Sequence, residues 1–143
     1  KETFMSSQNL LYDAELVLED GAAAKTSTGV GQDGGADAEL DLGGGGEESV
    51  GPQLPKNAAV EVDVTALDAA DEDETYEVQV QVAATAAFSS AIEVGARAVA
   101  ATGKYIIPVT NEVNGTRYRY MRVRHALAGT TPSLTYTAAL SAT

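Results

Sequence analysis

Residues 76–82 read Tyr-Glu-Val-Gln-Val-Gln-Val, and residues 60–65 read Val-Glu-Val-Asp-Val-Thr. In both stretches apolar and polar residues alternate one by one. Successive side chains of an extended strand point to opposite faces, so the pattern marks a strand with one buried face and one wet face. A helix would repeat its apolar residues every three or four positions instead. Half-wet strands of this kind pair antiparallel.

Outward from these two, Ile92, Val94 and Ala96 continue a third strand. Further strands are expected over 104–113, 116–127 and 133–140. Toward the N-terminus, Leu10, Tyr12, Ala14, Leu16 and Leu18 alternate over 10–18; a short strand falls near 26–30, and Leu40 and Leu42 mark another. Turn residues separate them: 67–73, Ala101-Thr102-Gly103, Asn114-Gly115 and Gly129-Thr130-Thr131-Pro132. Asn-Gly between two strand patterns predicts a type I′ hairpin, because both central positions need positive φ. No stretch shows a convincing period of 3.6. About eight short strands imply an all-β antiparallel sandwich of the jelly-roll kind. The organisation expected is an N-terminal arm over 1–9, with Phe4 and Met5 as candidate assembly contacts, then one sandwich domain over 10–143. A Gly/Pro-rich loop over 43–57 interrupts that domain: it opens with four glycines, Gly43 to Gly46, and carries Pro52 and Pro55.

Of the 143 residues 44% are hydrophobic, but 25 are alanine, only two are Phe and none is Trp. A core of Val and Ala buries less area than one of Leu and Phe, so the domain is expected to gain stability from neighbours. The net charge of −12 argues against nucleic acid and against an anionic membrane as partners. No run reaches the ~20 apolar residues of a membrane span, and residues 1–11 lack the apolar stretch of a signal peptide. The acidity has two readings of equal standing: a high-salt environment, which screens self-repulsion, or a plainly acidic protein. Without cysteine there is no disulfide and no thiolate chemistry.

Nothing in the chain assembles an active site, and a non-enzymatic protein without metal or cofactor is expected. The single histidine, His125, stands beside Arg124 with no nucleophile-elbow context, and one histidine does not make a zinc site. Gly43 to Gly46 precede neither a helix nor a Lys-Ser/Thr pair, so they are not a P-loop. The acidic residues of 68–74 supply oxygens of the type calcium takes, but without the glycine and spacing of a calcium loop; a solvated turn is the better reading. No pair of carboxylates is set apart for glycoside hydrolysis.

One stretch does stand out. Residues 117–125 read Arg-Tyr-Arg-Tyr-Met-Arg-Val-Arg-His, and they hold four of the five arginines of an acidic chain. Arg and Tyr are enriched where protein surfaces meet. The candidate interface is therefore Arg117, Tyr118, Arg119, Tyr120, Arg122 and Arg124. An unbulged strand would bury Met121 and Val123 and put Tyr118, Tyr120, Arg122 and Arg124 on the outer face. A bulge near Tyr120 would turn the tyrosines inward. In both registers Arg122 and Arg124 stay together. The plainer alternative is that they pair only with acids on neighbouring strands, such as Glu77 or Asp63.

The stretches AVEVDVTAL (59–67), DETYEVQVQV (73–82), AFSS (87–90), GKYIIPV (103–109), NEVNGTRYRYMRVR (111–124) and LTYTAAL (134–140) resemble a family of tailed-bacteriophage proteins, the jelly-roll capsid cement or decoration proteins. The Leu-rich opening 11–18 and Leu40-Asp41-Leu42-Gly43 are similar too. The resemblance covers most of 10–142 and implies a virion protein on the outer capsid surface. Its implied partners are the major capsid protein and copies of itself, as a homodimer ahead of a trimer. It carries no catalytic residues. The runner-up is a jelly-roll carbohydrate- or receptor-binding module on a virion, for which Tyr118 and Tyr120 would serve as platform. A cupin-type enzyme would need a histidine cluster that this chain lacks.

Overall fold

A computed structural model describes residues 16–42, 54, 57–70 and 73–141. The expected arm with Phe4 and Met5, most of the strand over 10–18 and nearly all of the loop over 43–57 lie outside them. The strands among the described residues are β1 (Val17–Glu19), β2 (Gly29–Val30), β3 (Gln32–Asp33), β4 (Ala36–Asp37), β5 (Leu40–Asp41), β6 (Ala59–Leu67), β7 (Thr75–Ala83), β8 (Ile92–Val99), β9 (Gly103–Pro108), β10 (Glu112–Val113), β11 (Thr116–Arg117), β12 (Tyr120–Ala128) and β13 (Leu134–Ser141).

Two antiparallel sheets carry the architecture. The first runs β1-β13-β6-β9; in the second, β2 and β5 both pair with β12, which is followed by β7 and β8. With β2 and β5 counted as one interrupted strand, and the β3–β4 and β10–β11 hairpins set aside, eight strands remain. Their order is first-eighth-third-sixth in one sheet and second-seventh-fourth-fifth in the other. That strand exchange between two facing sheets is a jelly roll. The alternating valines lie where the pattern puts them. Val60, Val62 and Val64 of β6 and Val78, Val80 and Val82 of β7 are all buried in the core. Each fully buried valine is favourable by about 1.5–3 kcal/mol, which is how a core with few aromatics holds.

Two long strands expected from the sequence are each shorter. β9 ends at Pro108, with one further bond from Val109 N to Ala58 O at 3.1 Å. β12 begins only at Tyr120, and it belongs to the other sheet. The chain crosses between sheets over 109–119. The expected hairpin stands there as a short ribbon, β10 against β11, with positive φ at Asn114 (51°) and Gly115 (82°). Fully buried Asn111 anchors the crossing: its Oδ1 accepts from Leu54 N at 2.9 Å, its Nδ2 donates to Tyr118 O at 3.3 Å, and its carbonyl accepts from Tyr118 N at 2.8 Å.

The interruption between β2 and β5 closes one side of the sandwich. There the chain leaves β12 and makes the β3–β4 hairpin around Gly34-Gly35, both at positive φ. The hairpin is fixed by β1, whose Glu19 is completely buried. Glu19 Oε1 accepts from Gln32 N at 2.8 Å, and Oε2 accepts from Gly21 N at 2.9 Å. Lys25 Nζ lies 3.3 Å from Oε1 and donates to Gln32 Oε1 at 3.2 Å, with only 10% of its side chain exposed. Asp20 accepts from Gly34 N and Ala22 N, which holds its carboxyl below the usual range.

Where the hairpin departs, Gly31 N donates to Val123 O at 2.9 Å. A Cβ at Gly31 would stand 2.1 Å from Leu18 O and 2.6 Å from Val123 Cγ2. Backbone on one side and a core side chain on the other leave no room, so Gly31→Ala is expected to destabilise by about 1–3 kcal/mol through overpacking. Urea unfolding checks this; an unchanged midpoint would mean that the hairpin stem shifts freely.

Candidate protein-binding face

β12 alternates without a bulge from Tyr120 onward, paired residue for residue with β7. Met121, Val123 and His125 are buried, while Tyr120, Arg122 and Arg124 lie on the outer face of the second sheet. The unbulged register is therefore the one the molecule adopts, with one correction. Tyr118 lies before the strand, within the crossing, and packs against the core rather than sharing the outer face.

The four arginines separate into two pairs. Arg117 belongs to the β10–β11 ribbon, its Nε 4.0 Å from Glu112 Oε1. Arg119 grips Asp41 of β5 with two bonds, Nε to Oδ1 at 2.7 Å and Nη2 to Oδ2 at 2.8 Å, and its guanidinium stands 5.1 Å from the Tyr120 ring centroid. Both brace their own surroundings.

Arg122 and Arg124 differ. Register sets them opposite Gln81 and Gln79. Arg122 Nε donates to Gln81 Oε1 at 2.8 Å, and Arg124 Nη1 donates to Gln79 Oε1 at 3.0 Å. Among the described residues, neither guanidinium lies within ion-pair distance of a carboxylate. Of the acids expected to neutralise them, Glu77 instead accepts from Gln79 Nε2 at 2.7 Å, and Asp63 sits on β6 in the other sheet. Partial desolvation pulls the Arg122 pKa below its usual value, yet an arginine stays charged.

Arg122 also rests over Phe88, 4.2 Å from its ring centroid. Phe88 is buried but stands outside the core cluster, at φ 55°, a conformation costly for a bulky side chain. The loop after β7 thus folds an aromatic ring under the Arg122 guanidinium. Sequence reading missed Phe88, Gln79 and Gln81; the two glutamines were legible only once the β7–β12 register was known.

Two carboxylates of the acidic segment 68–74 do local work. Asp68 Oδ1 accepts from Ala70 N at 2.9 Å, and Asp73 accepts from the N–H and hydroxyl of Thr130, which lowers its pKa. Among the described residues no group of acids and histidines is placed to hold a metal ion.

The outer face of the first sheet is different in character. A concavity of about 410 Å³ opens there, floored by Thr137 and Ala139 of β13. Glu61 and Asp63 of β6 line it, with Ile106 and Lys104 opposite them on β9. Ile106 is 48% exposed, the one exposed large hydrophobic among the described residues.

No family model matches the chain, and no curated protein matches it in sequence. Among the described residues no helix is long and apolar enough to cross a membrane.

Proposed function

We propose that this jelly roll is a structural virion protein of the capsid-cement kind. It binds the outside of a tailed-virus capsid, bridges major capsid protein subunits and associates with copies of itself. One observation carries the reading: Arg122 and Arg124 stand side by side on an open sheet face of an acidic chain, with side-chain hydrogen bonds to neutral amides and, among the described residues, no carboxylate within ion-pair distance. An arginine fork satisfied at one nitrogen keeps others for a carboxylate on another surface. A symmetric shell repeats each such contact, so modest interfaces add up to firm attachment.

The test is decoration of empty capsids by the Arg122→Ala, Arg124→Ala double variant. The hydrogen bonds lost are to partly exposed neutral groups, about 1 kcal/mol per site, and Arg122 also gives up its contact with the Phe88 ring, about 0.5–2 kcal/mol more, so the fold should survive. Occupancy on the shell should fall roughly tenfold or more, because a partner carboxylate is left desolvated. Decoration equal to the parent's would reject this face as the attachment surface. Retention on glycans without any binding to capsids would favour the carbohydrate-module alternative.

A further inference from the structure

Arg122 and Arg124 are two apart on one strand, so they project from the same outer face about one pleat repeat apart. On the opposite side of the sandwich, Glu61 and Asp63 have the same spacing and also point outward, into the concavity of the first sheet. The chain thus carries a basic doublet on one broad face and an acidic doublet, at matching separation, on the other.

Among the described residues neither doublet is engaged in an ion pair, although the fields of Asp37 and Glu39 reach Arg122. Lys104 is opposite Asp63 in the ladder and is the only base lining the concavity, but it does not reach ion-pair distance. Beside the acids, Ile106 offers exposed apolar surface to whatever enters. Beside the arginines, half-buried Tyr120 supplies ring surface and the arginine stems supply methylenes.

We infer that a second copy of this chain docks its Arg122–Arg124 doublet into the Glu61–Asp63 concavity of the first. The contact is head-to-tail: each copy has one donor face and one acceptor face, on opposite sides. Repetition closes a ring if the rotation permits and otherwise extends as a stack. Of the described acids over 68–74, Asp68 and Asp73 already accept from Ala70 N and from Thr130. Two bodies of net charge −12 repel at long range, so the contact forms once salt screens that field, at about 0.15 M, where the screening length is about 8 Å. Self-docking rests on the self-association proposed above and names its two surfaces; a doublet docked into a neighbouring copy is not one that meets the shell.

Sedimentation velocity at that salt concentration tests the contact with two variants: Arg122→Ala with Arg124→Ala, and Glu61→Ala with Asp63→Ala. Circular dichroism serves as the fold control for both. The parent should sediment as species larger than a monomer. Each variant alone should associate roughly tenfold or more weakly. An equimolar mixture should give a one-to-one dimer and nothing larger, because each variant keeps one working face. A monomeric parent overturns the inference, as does a Glu61/Asp63 variant that associates like the parent, or a mixture that forms no dimer. A monomeric parent that still decorates capsids removes self-docking and leaves shell binding standing; self-docking without decoration does the reverse.

Discussion

Glu19→Ala is expected to destabilise the protein by about 3–5 kcal/mol, the effect of breaking a buried ion pair from one side. The carboxylate is fully buried and serves three donors: Gly21 N, Gln32 N and Lys25 Nζ. Without it the Lys25 ammonium remains, only 10% exposed, with one neutral amide oxygen for company. Two backbone N–H groups lose their acceptor as well, and each buried orphan costs about 1–3 kcal/mol. Domains of this size have a total stability of about 5–15 kcal/mol, so the loss is large. Removing both charges, Glu19→Ala with Lys25→Met, should recover part of it, because no buried charge is then left alone. Guanidinium unfolding of the two variants decides the matter. A loss under about 1 kcal/mol for Glu19→Ala, or no recovery in the double variant, would show that water reaches the site and satisfies these groups.

The second large effect is set by pH. His125 is buried on β12, its Nδ1 2.8 Å from the Tyr136 hydroxyl of β13, so one hydrogen bond ties the two sheets through the core. Burial depresses the His125 pKa to about 4 from 6.5, with help from the positive charges of Lys25 and Arg124. Burial likewise raises the pKa of the Tyr136 phenol, which stays neutral. Between pH 6.5 and about 4 the unfolded chain binds a proton at this histidine and the folded chain does not. Stability from this group is therefore complete above 6.5 and declines as pH falls, reaching a floor near 4. The full difference is about 3 kcal/mol, most of it gone by pH 4.5. Carboxylates with lowered pKa, such as Asp20 and Asp73, act in a separate and more acidic window. Urea midpoints at pH 7.5, 6, 5 and 4.5 should trace this loss. His125→Phe should be flatter over the same range; equal slopes in variant and parent would assign the acid sensitivity to other groups.

The sandwich was legible because its information is local. Val60 to Val64 and Val78 to Val82 announce their own faces, and Asn114-Gly115 carries its turn in two residues. That Arg122 and Arg124 share one face followed from their spacing in either register, while the unbulged register itself was settled only by the pairing of β12 with β7. What could not be read depends on distant partners. Glu19 is buried because its strand is irregular between Val17 and Glu19 and because a hairpin 13 residues on supplies Gln32 N. In a segment of Gly, Ala and Thr, nothing marks Lys25 as its counter-ion. Tyr118 has the same parity as Tyr120, yet the crossing anchored by Asn111 turns it to the core. The partners of Arg122 and Arg124 are glutamines because β7 is the neighbour of β12, a fact of topology.

The split strand has a consequence for what happens when copies crowd together. A sheet rim with a long row of unpaired amides invites another chain to add a strand, which is how fibres grow. Here one rim of the second sheet is only β2 and β5, two residues each, with the β3–β4 hairpin between them. At the other rim, β8 loses register against Val80 and Gln81 and carries Glu93 and Arg97 as exposed charges. One border is too short and the other is broken in register and charged, so at this sheet crowded molecules are steered toward contacts between side chains and away from cross-β growth.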